Sequence, residues 1–253
     1  DRRRTQLIQD DFLYQTREAD RERPERALRF AVKIGVPNRQ VQNWGDTFFA
    51  EALAKSIAQQ GHHCVIHYLN EWGRDDRDID VVIHLKGLSR YVPKPWNVNL
   101  MWMINHPSMH TDEELAGYDG LLVASKAHAA TLRQRLTVPI YEFLQATDAQ
   151  QFRPYPELGK CWDLVFVGNN GGRDRDTMRK VVADLLPTRY KLGVWGGNWQ
   201  GLLPEGVWQG KFVPNHQLPQ LYSSAWIVLN DHQREMRDYG FVNNRTFDAA
   251  ACG

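Results

Sequence analysis

Along almost the whole chain, short apolar runs alternate with stretches of helical period, and that rhythm leaves few folds open. The run from Leu28, LRFAVKIGV, ends at Pro37. It is apolar at successive positions rather than at every second one, as in a strand covered on both faces of a parallel sheet. Thr47 to Gln60 (TFFAEALAKSIAQQ) sets apolar side chains at i, i+3 and i+4 and stops at Gly61, which predicts a helix. CVIHYL, DVVIHL and NVNLMWMI follow as strands, and EELAGY and KAHAATLRQRL as helices with the strand LLVAS between them. Right-handed crossovers turn this order into a parallel sheet with helices on both faces, an α/β fold.

The rhythm breaks at Leu144–Lys160 (LQATDAQQFRPYPELGK), where two prolines and little apolar periodicity predict an interdomain linker. It restarts with DLVFVG, a helix through Met178–Leu186, KLGVWG, a helix around Leu218–Ser224 and the strand AWIVLN. The expected organisation is a helical extension over residues 1–28, a Rossmann-like domain over 29–145, a linker over 146–160 and a second, incomplete Rossmann-like domain over 161–253. The extension is dense in Arg, Asp, Glu and Gln, with Leu7, Ile8, Phe12 and Leu13 at helical spacing. The chain opens on Asp1 and ends at Gly253, where a helix would hand over to another strand, so a fragment of a longer protein is expected.

In open parallel sheets, ligands bind beyond the carboxyl ends of the strands, where helix N-termini point. Those ends carry Asn43-Trp44-Gly45-Asp46, Asn105-His106-Pro107, Gly168-Asn169-Asn170-Gly171-Gly172-Arg173, Gly196-Gly197-Asn198-Trp199 and Asp231-His232. The strand interiors read as apolar. GNNGGRDR (Gly168–Arg175) suits a diphosphate cradle, in which glycines let backbone N–H groups approach and Arg173 or Arg175 forks onto phosphate oxygens. A solvated glycine turn fits it equally. It is neither GxGxxG nor a Walker loop, so dinucleotide and ATP use are not supported.

Arg245 and Asp248 stand on the opening turns of the final helix. Asp248 can accept hydrogen bonds from a ribose diol or simply favour the positive helix end. Arg245 is a phosphate contact or a surface charge. His106 is a structural imidazole or a catalyst at the ligand-facing edge of the first domain. Asp78-Ile79-Asp80 precedes its strand inside GRDDRDID and reads as a solvated loop rather than a metal-binding DxD; with Asp174-Arg175-Asp176 as the other such triplet, no metal is expected.

FVGNNGGR, LGVWGGNW, GKFVPNHQLPQLYSSAWIVLNDH and GFVNNRTFDAAACG resemble the C-terminal domain of GT-B glycosyltransferases. Within them the likeness is to spore-maturation proteins of the CgeB type and the glycosyl transferases group 1 superfamily. WGDTFFAEALAKSIAQQGH and MINHPSMHTDEELAGYDGLLVASKAHAATL carry a looser likeness in the first half. The resemblance implies two Rossmann-like domains in GT-B arrangement and transfer of a sugar from a nucleotide-diphosphate donor, with a UDP-type donor as the expectation. It implies a carbohydrate, lipid-linked or protein acceptor, as in bacterial polysaccharide or glycoconjugate synthesis.

Gly168, Asn169, Arg173, Arg175, Gly196, Gly197, Asn244, Arg245 and Asp248 would then hold the donor, and Phe212, Val213 and Pro214 would meet the base. Cations would stabilise the leaving phosphate without a metal, with retention of configuration; if the enzyme inverts, Asp46 or His106 is the candidate base. An acid usual eight residues before Asp248 is replaced by Gly240. A nucleotide-sugar epimerase and a non-catalytic binding or scaffold module are the alternatives.

Composition restricts the partners. A net charge of +1 calls for neither nucleic acid nor an anionic membrane. No apolar run approaches the ~18 residues of a membrane span, which leaves only peripheral association open. Cys64, Cys161 and Cys252 are scattered without CxxC or zinc spacing, so a reducing cytoplasm is expected.

Overall fold

The computed structural model describes residues 26–41, 44–171 and 179–253. The expected N-terminal helix over 1–28 therefore lies almost wholly outside the described residues. Contacts divide the chain into one unit of Asp1–Leu144 with Asp238–Phe241 and another of Gln145–Arg237 with Val242–Gly253.

The first unit holds strands β1 (Arg29–Lys33), β2 (His63–His67), β3 (Val81–Lys86), β4 (Val98–Met103), β5 (Gly120–Val123) and β6 (Ile140–Glu142), with helices α1 (Gly45–Gln59), α2 (Asp112–Ala116) and α3 (Lys126–Arg133). Its sheet runs β2-β1-β3-β4-β5-β6 with every pairing parallel. β3 and β4 are buried at every position, which explains their unbroken apolar runs. Phe30, Val32, Ile83, Leu85, Leu100 and Trp102 form one core with Phe49, Leu53 and Ile57 of α1.

The intervening strand positions correct the expectation of apolar interiors, because Lys33, His84 and Lys86 are fully buried there. Lys33 Nζ donates to Asp76 Oδ2 at 2.8 Å, Lys94 Nζ reaches the same oxygen at 3.3 Å, and His67 Nδ1 lies 3.4 Å from Oδ1. A buried ammonium needs a counter-charge, and the acidic run supplies it. GRDDRDID is accordingly not a solvated loop throughout. Asp76 and Asp80 are buried, and Asp80 accepts from Arg26 Nη2 and the Arg29 N–H at 2.8 Å each.

The second unit holds β7 (Trp162–Val167), α4 (Lys180–Ala183), β8 (Leu192–Trp195), β9 (Trp208–Gly210), α5 (Leu218–Ser223), β10 (Ala225–Leu229) and α7 (Asn244–Ala251). The sheet runs β10-β7-β8-β9, again all parallel. Leu164, Phe166, Val194 and Trp199 pack on one side, and Val165, Tyr222, Ala225 and Cys252 on the other. The helix expected through Met178–Leu186 is the single turn α4, and Met178 lies outside the described residues. A short helix, α6 (Arg234–Asp238), follows β10. The segment 146–160 packs on this unit: Gln151 Nε2 donates to the Asn215 carbonyl at 3.2 Å, and Lys160 Nζ to the Ser223 and Ala225 carbonyls at 2.9 and 2.8 Å. Among the described residues no helix is long and apolar enough to cross a membrane.

Candidate functional site

The carboxyl edge of the second sheet gathers Gly168, Asn169, Gly196, Gly197 and the opening turn of the final helix. β7 ends at Val167, and Gly168 and Asn169 continue beside the turn after β8. Gly196 is required there. Its φ is +142°, and a Cβ on it would lie 2.2 Å from the Gly168 carbonyl oxygen. The Gly197 N–H donates to Asn169 Oδ1 at 2.7 Å, and the indole of the fully buried Trp199 donates to the Gly168 carbonyl at 2.7 Å. Two glycines thus let the β7 and β8 turns touch, and a buried tryptophan fixes them from below.

Two arginines flank this edge. The guanidinium of Arg245 lies 5.5 Å from the centre of the buried Phe166 ring, and that of Arg179 lies 5.2 Å from it. A cation over an aromatic face is held by the ring's quadrupole. Arg245 Nη1 donates to Asn230 Oδ1 at 3.0 Å. Arg179 Nε donates to the Asn169 carbonyl at 2.7 Å, its backbone N–H donates to Asn170 Oδ1 at 2.9 Å, and its Nη1 pairs with Asp231. Arg179 is an addition to the sequence-based set, and Asp231 was read there only as a strand-end residue. Arg173 and Arg175 lie outside the described residues.

Helix α7 aims its opening turn at the same edge. Asn243 is its N-cap and accepts from the Thr246 N–H; its own carboxamide donates to Asn230 Oδ1 at 3.0 Å and to the Asp231 carbonyl at 2.8 Å. Asp248, 8% exposed, accepts from the Thr147 hydroxyl at 2.6 Å and from Asn244 Nδ2 at 2.9 Å. Burial pushes its carboxyl up to about 6, against those two hydrogen bonds and the Arg245 charge. The Asn244 Oδ1 atom is buried with no hydrogen-bond partner among the described residues. Cations, glycine-rich turns, a helix N-terminus and a partly desolvated acid can together hold an anionic ligand that carries hydroxyl groups.

Gly240 has φ +72°, and a Cβ there would approach Ser125 Oγ to 3.3 Å. Ser125 Oγ donates to the neighbouring Tyr239 carbonyl at 2.7 Å. Glycine is dictated by this turn, which no carboxylate side chain would enter without strain.

Phe212, Val213 and Pro214 follow β9 and line a hollow of about 410 Å³ with Leu158, Cys161, Trp195 and α5. None of Gly168, Asn169, Gly197, Arg245 or Asp248 lines it. β9 itself meets the edge, since the Gly196 N–H donates to the Gly210 carbonyl at 2.9 Å.

In the first unit, Asp46 opens α1 and His106 follows β4. Asp46 is half-buried, burial raises its carboxyl pKa, and its Oδ2 lies 3.8 Å from where a Cβ on Gly87 would be. His106 takes a left-handed backbone with φ +47°. Among the described residues no group of three His, Cys, Asp or Glu side chains converges to hold a metal ion.

No curated protein matches the chain. Residues 173–253 match a family model described as glycosyl transferase-like, a stretch that includes Arg179, Gly196, Gly197, Arg245 and Asp248.

Proposed function

We propose that the chain transfers a sugar from a nucleotide-diphosphate donor, with the carboxyl edge of the second sheet as the donor site and the pair of units as the two halves of a GT-B enzyme. The observation that carries this reading is that Arg179 and Arg245 both stand over the Phe166 ring, that the Arg245 charge bears on Asp248, and that these two arginines and Asp248 fall in the glycosyl transferase-like stretch. Arg179 and Arg245 receive the diphosphate. As the glycosidic bond to the donor breaks, charge grows on the leaving phosphate, and preorganised cations stabilise it more than they stabilise the ground state. Asp248 accepts from the ribose diol and so fixes the nucleoside. The donor is of the UDP type.

Retention of configuration is proposed, with the leaving phosphate taking the acceptor proton, and no metal takes part. Asp46, whose raised pKa suits proton transfer, is the base for an inverting variant of the reaction.

The test is to incubate the protein with UDP-glucose, GDP-mannose or TDP-glucose, with and without a chelator. Slow release of nucleoside diphosphate from one of them, unchanged by the chelator and lost in Arg245→Ala, is expected. Isomerised donor without nucleotide release would instead identify an epimerase.

A further inference from the structure

The hollow beside α5 has a composition unlike that of the donor edge. Its full lining is Leu158, Gly159, Cys161, Trp195, Phe212, Val213, Pro214, Gln217, Gln220, Leu221 and Ser224, with no charged side chain. At about 410 Å³ it falls within the size range of small-molecule sites. Trp195 can reach the hollow because Gly193 has no side chain: a Cβ there would come within 2.7 Å of the Trp195 ring. Trp162 meets that ring edge-on, with centroids 5.4 Å apart. Phe212 is 43% exposed and adds a second aromatic surface. The exposed carboxamides of Gln217 and Gln220 make no hydrogen bond among the described residues. Gln217 caps α5 and Gln220 lies within it, and each presents two donors and an acceptor.

We propose that this hollow is a second carbohydrate subsite, which takes one uncharged sugar ring of a saccharide apart from the donor edge. Aromatic surface next to planar amides matches a ring whose faces are C–H and whose rim is hydroxyl. The absence of charge selects against phosphate-bearing ligands, because a desolvated phosphate needs cations or N–H donors. The donor reading does not depend on this site, and each can fail without the other.

Cys161 supplies the reporter. It is exposed and lines the hollow, whereas burial pushes the Cys64 and Cys252 thiols up to about 11. At mildly alkaline pH, iodoacetamide therefore reacts first at Cys161, and peptide mass spectrometry follows the rate. Maltotriose, cellotriose or chitotriose at millimolar concentration is expected to slow that alkylation several-fold, and UDP is expected to leave it unchanged. Gln220→Ala, an exposed substitution, should abolish the protection without moving the melting temperature. Protection by UDP and not by the saccharides would assign the hollow to the nucleobase and overturn the proposal, as would no protection by any probe.

Discussion

At the residue scale, Asp248 carries the sharpest consequence. An aspartate in an unfolded chain titrates near ~3.9, and burial in the fold raises this one to about 6. Between those values the folded state binds more protons than the unfolded state. Stability therefore falls as pH rises through that window and levels off above it. The loss is on the order of 3 kcal/mol at most. Asp248→Asn removes the titration. The Asn244 Oδ1 atom can then accept from the new carboxamide after Asn244 turns over, so the variant keeps its hydrogen bonds.

Melting temperatures of the two proteins should coincide near pH 4, with Asp248→Asn the more stable above pH ~6.5. A wild-type advantage that grows over the same window would contradict the buried-acid reading. The variant should also bind nucleotide about tenfold or more weakly, since a charged acceptor is worth ~1.5–3 kcal/mol to a hydroxyl donor. Arg245 and Asp248 were singled out because they stand on the opening turns of a helix recognisable in the sequence. Arg179 was not, because ten residues separate it from Asn169, and only folding brings it back to Phe166 and Asp231.

At the element scale, α7 depends on one carboxamide. Asn243 caps the helix and ties it to Asn230 and Asp231, and Asn230 in turn holds Arg245. Asn243→Ala should cost about 1–2 kcal/mol in urea unfolding, from the cap alone, and should weaken nucleotide binding by releasing Arg245. Unchanged binding with the stability loss present would detach the cap from the site. The long strands were readable because burial on both faces leaves an unbroken apolar run. β6, β9 and α6 were missed because three to five residues carry no period, and tertiary pairing makes them regular. Lys33 escaped for a different reason: strand patterning does not reveal that an acidic loop will fold over a buried cation.

At the scale of the whole molecule, the interrupted rhythm put the expected linker at 146–160, and the contact boundary falls between Leu144 and Gln145. The return of Asp238–Phe241 to the first unit was not legible, because a discontinuous unit leaves no mark in local periodicity. The donor reading needs the second unit to recognise a nucleoside diphosphate through its phosphates and its ribose together. Calorimetric titration of the chain with UDP, GDP and TDP measures this. Saturable binding of one of the three is predicted, weakened in both Arg245→Ala and Asp248→Asn. No heat from any of them, or binding that both substitutions leave unchanged, would contradict a nucleotide-sugar site at this edge.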